Sequence, residues 1–499
     1  MQRKTIAGFF AVKNFPQETN FGTLSFPGFL PYLSAMFLTI NRTIAGLFII
    51  LLAGAVYFNL ERMLFCDASF ILTRIINQGT LQVQEHRYGS FITQAFPLLA
   101  SYLDLPLSTI VTLYSVSFNI FYLVVALLLV FSFKEHALAI LMSLYYVLFV
   151  TDTYFWTNNE VHQGIAWMFL FFATIGRLQK NKTSRILMVP VFLILAFLAI
   201  FTHPLVLFPI AFLWIFLLLE KKWNFNRVEI AAYSILLAAI CVGKYMVSTS
   251  ASQSFYDIEK LQGTSRLSLD VVVDALNSPL AKEIARRMVV DYWIIPLLLI
   301  AGLVSAIRQK KYLNILLTIL FVFSYLAAIC ITFTEFEPFY MESELMALSI
   351  ISSALFVYYT IPQVPSKWAT TILLLIFLVR LGYIYHASGK WVERKKWLIA
   401  TLEHMRKKDI RKGLVYETGE INKILVINWG VPQESLLASA IHGDDPQLTF
   451  VVGTRENLAE RIPSDPGQAI GSFKIFNNDS LNARYFSIDT TSFYRVVEP

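Results

Sequence analysis

The sequence predicts an α-helical polytopic membrane protein of about eleven transmembrane helices, with a small α+β or β-rich domain at the C-terminal end. Three observations predict it. The chain of 499 residues is 56% apolar and 15% charged, where a soluble chain carries about 25% charge; its mean hydropathy is +0.58. Apolar runs of spanning length recur from residue 43 to residue 386. Beyond residue 413 the pattern changes to short apolar runs divided by turn residues.

Residues 1–42 read as a cytoplasmic or interfacial N-terminal segment. "MQRKTIAGFF" sets basic residues before a short apolar run, but Lys13 interrupts it and no small-residue cleavage site follows, so no signal peptide is expected. Phe26 to Ile40 is short for a span and reads as interfacial. Met36 is an alternative start.

The transmembrane region is 43–386. Its apolar runs fall at 43–60, 106–131, 137–153, 161–177, 186–202, 204–219, 229–247, 292–307, 312–334, 345–362 and 368–386. With the N-terminus inside, the inner loops are 1–42, 134–136, 176–185, 220–227, 308–311 and the turn at Lys367. Counted with Glu229, they hold 16 Lys/Arg against 4 Asp/Glu, while the outer loops up to residue 344 hold 8 against 16. That asymmetry obeys the positive-inside rule. The main outer loops are 61–105, 152–160, 248–291 and 335–344, and an odd span count places the C-terminus outside.

Residues 387–412 are basic with apolar residues at helical spacing, which predicts an amphipathic helix lying on the outer membrane surface. Residues 413–499 form the extracytoplasmic domain, with strand-like runs "KILVINWG", "LTFVVG", "SFKIF" and "ARYFSID". Cys66, Cys241 and Cys330 have no disulfide or metal spacing. The net charge of +7 is distributed by topology rather than clustered for nucleic acid, and no nucleic-acid partner is expected.

The chemistry collects on the outer side. Asp67, Glu85, Glu160, Glu335, Glu337 and Glu342 stand on outer loops beside His86, His162 and His203, with Arg74, Arg87 and Tyr340 among them. Lys244 and Arg380 lie inside spans, where a charge is a functional candidate by default. Arg grips phosphate oxygens bidentately, so these two are candidate binders of a lipid-borne phosphate. A carboxylate such as Asp67 can deprotonate a hydroxyl, and a phosphate leaving group needs positive charge or a metal.

The layout resembles the GT-C superfamily of integral-membrane glycosyltransferases. The likeness rests on Asp67 directly after the first span, on "QGTLQVQEHRYGSFITQAFPLLASYLDLPLS" after it, and on Glu160 within "YFWTNNEVHQG". It covers 43–386 in architecture. Asp67 is followed by Ala68 rather than a second acid, and "EHRYGSF" stands where a proline-rich "PPL" is common, so no subfamily is implied.

The resemblance implies a polyprenyl-phosphate-linked sugar as donor and a glycan, lipid or protein acceptor. It implies transfer on the extracytoplasmic face; the absence of a disulfide framework and the compact 499-residue chain favour a bacterial inner membrane. Asp67, Glu160 and Glu85 would be the catalytic carboxylates. Arg74, His86, Arg87, His162, His203, Lys244, Glu335, Glu337, Tyr340 and Arg380 would bind substrate or phosphate. Glu85, His86, Glu160 and His162 are ligand types for a divalent metal, but no fixed ligand spacing appears, and the cofactor stays open. Alternative readings are a lipid-linked glycan ligase or polymerase, and a multi-pass transporter.

The charge asymmetry makes a topology prediction. Cysteines introduced into 176–185 and 220–227 should react with impermeant reagents only from the cytoplasmic side. A C-terminal reporter active only in the cytoplasm should be silent; an active one overturns the orientation.

Overall fold

The computed structural model describes residues 29–180, 185–250, 268–333 and 338–497. Residues 1–28, with Glu335 and Glu337, lie outside the described residues. The fold is mostly helical. Five described helices are long and apolar enough to cross a membrane: Thr39–Tyr57, Leu107–Phe133, Arg227–Ser248, Tyr312–Thr332 and Ser366–Lys407. Pro279–Val290 and Ile294–Arg308, bent by 81° at their junction, make a sixth if counted as one span. Shorter apolar helices cover His136–Leu148, Leu187–Thr202 and Pro204–Leu219. The first helix runs unbroken from Phe29 to Tyr57, so the interfacial segment expected around Phe26–Ile40 is, from Phe29 on, part of it.

The short apolar helix His136–Leu148 lies inside the fold. All but its first two residues are buried, so protein rather than lipid surrounds it. The 61–105 loop is itself largely helical, with Asn59–Met63, Cys66–Gln78 and Phe91–Tyr102 in sequence.

Loop-to-loop contacts sort the connections into two groups. Asn41 meets His136 at 3.0 Å, the Asn224 N–H donates to Gln179 at 3.1 Å, and Glu220 accepts from Lys311 at 3.0 Å and Asn314 at 2.9 Å. These are the loops grouped as inner by charge. At the other end Arg87 pairs with Glu160, Lys390 with Asp152, and Glu342 receives Thr151, Thr153 and Tyr292. These are the loops grouped as outer.

The helix Ser366–Lys407 corrects one expectation. Its 42 residues span about 63 Å at 1.5 Å per residue, roughly twice the hydrocarbon thickness. The segment 387–412 is therefore not a separate surface helix: it continues the last span to Lys407. No proline interrupts it, and its apolar face meets protein, burying Trp391, Leu398, Leu402 and Met405.

The C-terminal domain is α+β. Its strands are β1 (Lys412–Tyr416), β2 (Thr449–Gly453), β3 (Gln468–Ile470), β4 (Ile475–Asn477) and β5 (Arg495–Val496). β1 pairs in parallel with β2 and with β5, while β3 and β4 form an antiparallel hairpin. Parallel pairing needs a crossover, supplied between β1 and β2 by Gly419–Leu425 and Val431–His442. "LTFVVG" contains β2, and "SFKIF" contributes to β4. "KILVINWG" is not a strand: Thr418 caps a helix by accepting from the Ile421 N–H, and that helix takes its first residues. "ARYFSID" contributes only an isolated bridge, Gln447 to Ile488.

Gly302 marks a close backbone crossing in the membrane part. A Cβ there would stand 2.6 Å from the Phe356 backbone nitrogen and 2.7 Å from Leu355 Cβ, whereas one at Gly382 meets nothing within 4 Å. Gly302→Ala should cost about 1–3 kcal/mol by overpacking and lower the melting temperature in detergent. Gly382→Ala should be neutral or stabilising. Equal melting of the two variants would overturn the packing assignment.

Candidate functional site

Asp67 occupies the first turn of Cys66–Gln78, where a carboxylate is favoured by the helix dipole. Phe65, not Asp67, holds the N-cap position. The backbone there is unusual: Cys66 has φ 32°, left-handed for a non-glycine residue. It is held by the C-terminal domain, where Glu434 Oε1 accepts the Cys66 N–H at 2.7 Å. Gly430 is required beside it, since a Cβ at 430 would lie 2.5 Å from Cys66 Cα.

Three side chains converge on Asp67. The Trp156 indole N–H donates to Asp67 Oδ2 at 2.9 Å. Arg87 Nη1 donates to Glu160 Oε2 at 2.8 Å, with 11% and 16% of the two side chains exposed. Burial, followed by the charge of Glu160, pushes the Asp67 carboxyl up to about 6, against the opposing pull of Trp156 and Arg87. Tyr340 backs Trp156 edge-on, with ring centroids 5.6 Å apart. Glu160 opens the helix Glu160–Lys180, and Asn159 caps it by accepting the Val161 N–H at 3.1 Å.

Arg87 is placed by a tightly fixed loop. Gln94 pairs with the backbone of Gln82 in both directions, at 2.6 and 3.1 Å. Gly89 admits no side chain, since a Cβ would lie 2.6 Å from the Leu198 carbonyl oxygen. Lys244 Nζ donates to the Glu85 carbonyl at 3.2 Å. Glu85 and His86 both take positive φ, 49° and 55°, conformations that persist only where surrounding structure holds them.

The expected residues thus divide. Asp67, Glu160, Arg87 and Tyr340 come together. His86 lies on the same loop and reaches the Tyr88 hydroxyl at 3.1 Å. Arg74 packs over Phe70 at 5.4 Å on the helix of Asp67, and it is not the cation that acts on Asp67; Arg87 is.

The others are committed elsewhere. Lys244 ties down the loop backbone. His203 accepts the Leu205 N–H at 3.1 Å and caps a short turn. His162 is buried among Tyr122, Tyr145 and Tyr146, stacked on the last at 5.4 Å. Arg380 is 1% exposed; its guanidinium donates to the carbonyls of Val147 at 2.9 Å and Asp291 at 3.0 Å and lies over the Tyr292 and Tyr383 rings. It braces the 81° corner after Val290, and its Nη2 is buried with no hydrogen-bond partner among the described residues. Among the described residues no three His, Cys, Asp or Glu side chains form a metal-ligand set.

Sequence reasoning missed Trp156, although it stands inside "YFWTNNEVHQG"; an indole donor carries no charge to flag it. It also missed Glu434 and Arg394, which reach the site from far along the chain. Glu342 was noted only as one of the outer acids. It is buried and accepts the N–H groups of Thr151 and Thr153 at 3.0 and 2.9 Å and the Tyr292 hydroxyl at 2.7 Å. Comparison with protein-family models, curated proteins and solved structures returns no match.

The electrostatics make a direct prediction. The infrared carboxyl band lost in Asp67→Asn should titrate in the wild type with a midpoint near 6. Glu160→Gln removes a like charge and should move that midpoint down; Arg87→Gln removes the opposing cation and should move it up. A wild-type midpoint at the ordinary 3.8 would overturn the account of the cluster.

Proposed function

We propose that this chain is an integral-membrane glycosyltransferase of GT-C type, moving a sugar from a polyprenyl-phosphate donor to an acceptor on the extracytoplasmic face. The observation that carries the reading is the Asp67 carboxylate, oriented by Trp156 beside the Glu160–Arg87 pair and on the side of the molecule that bears the C-terminal domain. On this reading the shorter apolar helices, with Glu160–Lys180 and the run through Leu348–Leu355, also cross the membrane. The total is then about eleven spans, in a bacterial inner membrane with the N-terminus cytoplasmic.

The chemistry follows from the residues. Asp67 takes the proton of the acceptor hydroxyl as that oxygen bonds to the anomeric carbon. The bond from that carbon to the donor phosphate oxygen breaks, and its electron pair leaves with the polyprenyl phosphate. A carboxylate with its pKa raised toward 6 is a stronger base than an ordinary one and is still ionised at pH 7. Arg87, from the same outer loop, supplies positive charge for the departing phosphate. We assign Arg380, Lys244 and His162 to the scaffold by the contacts they make.

Asp67→Asn keeps the shape and removes the base. Turnover should fall by roughly 100-fold or more, with insertion and folding retained. The wild-type rate should climb with pH through about 6 as Asp67 ionises, and the climb should move to lower pH in Glu160→Gln. Near-normal transfer by Asp67→Asn rejects Asp67 as the base.

A further inference from the structure

The helix Cys66–Gln78 buries eight of its thirteen residues. The partly open ones are Asp67, Phe70, Arg74 and Asn77, with Gln78 at its end. Their spacing puts the first four on one face, so the open stripe starts at Asp67 and runs away from it. The C-terminal domain lines that stripe with aromatic rings. Phe70 lies 5.9 Å from Trp429 and 5.3 Å from Phe473, and Trp429 lies 5.0 Å from Phe473.

Phe473 is 70% exposed, the most exposed large apolar side chain of its domain. It is nevertheless held in place. Its hairpin turn is anchored by Ser472 donating to Gln433 and by Arg461 donating to the Gly471 carbonyl at 2.7 Å. Trp429 directly precedes Gly430, which abuts Cys66. The aromatic surface and Asp67 are therefore parts of one rigid joint. Arg74 lies over Phe70, and among the described residues no carboxylate pairs with it.

A fixed, water-facing aromatic surface with one free guanidinium fits a ligand that is apolar on one face and rich in oxygen on its edges. A sugar ring is such a ligand: its C–H face packs on an aromatic ring, and its oxygens accept from arginine. We infer that Phe70, Trp429 and Phe473, with Arg74, form the acceptor subsite of the proposed transferase and bind a carbohydrate chain. The inference rests on that reading for its direction: the chain would lie along the stripe with its reacting hydroxyl at Asp67.

The test uses the full-length protein in nanodiscs on an array of printed oligosaccharides. The wild type should bind at least one carbohydrate class. Trp429→Ala and Phe473→Ser should weaken that binding by about tenfold each, the scale of a lost ring contact, and Arg74→Gln should weaken it too. Gly382→Ala, whose added Cβ meets nothing within 4 Å, should bind as the wild type does. A second measurement asks whether the patch lies in lipid instead. The Trp429 fluorescence, taken as wild type minus Trp429→Phe, should be unquenched by lipids brominated on their acyl chains. Quenching, no binding by the wild type, or unaltered binding by the aromatic variants each overturns the subsite. Those outcomes are separate from the failure of the transferase reading, which is normal turnover by Asp67→Asn while glycan binding persists.

Discussion

The buried pair Arg394–Glu434 is the joint on which the half of the molecule that bears the C-terminal domain depends. Its atoms meet at 2.7 Å with 2% and 0% of the side chains exposed. Burying two charges costs several kcal/mol per ion unless hydrogen bonds satisfy them. Here Arg394 also donates to the carbonyls of Leu64 at 2.5 Å and Leu425 at 3.0 Å, and Glu434 accepts the Cys66 N–H. One ion pair thus joins the long helix, the C-terminal domain and the backbone just before Asp67. Removing either partner strands a charge in the interior, so the joint holds the left-handed Cys66 in place and fixes the start of the Asp67 helix.

Packing around the joint stiffens it. Phe65 meets Trp391 edge-on at 4.6 Å, and Trp391 stacks on Phe155 at 5.7 Å. Phe155 directly precedes Trp156, so the rings that support the long helix also set the segment that presents the indole to Asp67. At the opposite end of the bundle Glu220 plays a simpler part, gathering Lys311, Asn314 and Tyr359. Both ends use a carboxylate as a hub, and at the end that bears the C-terminal domain Asp67 is a second, partly open carboxylate beside it.

The sequence made the polar end of the site legible because Asp67, Arg87 and Glu160 carry charge next to apolar runs. It could not separate two uses of a charge inside a span. Arg380 and Lys244 satisfy backbone carbonyls at a helix corner and a strained loop, and a ligand-binding cation would look the same in sequence. The segment 387–412 failed for a related reason: an apolar stripe with basic flanks describes a helix on a membrane and equally a helix on another domain. Trp429 and Phe473 were invisible because their meaning depends on Phe70, hundreds of residues away. In the C-terminal domain β2 was legible from its β-branched run, but "KILVINWG" was overruled by the Thr418 cap.

The division of labour between the two carboxylates follows from the single guanidinium they share. Arg87 donates to Glu160 at 2.8 Å, and its pull on Asp67 is outweighed by burial and by the charge of Glu160. Asp67 keeps a neutral partner, Trp156, which orients one oxygen without adding charge. Burial and the neighbouring Glu160 then leave Asp67 as the group that takes a proton first as pH falls. An acid selected only for structure would gain from Arg87 directly. Instead the arginine is spent on Glu160, and the open end of the helix stripe is left with a carboxylate that is oriented, under-compensated and basic.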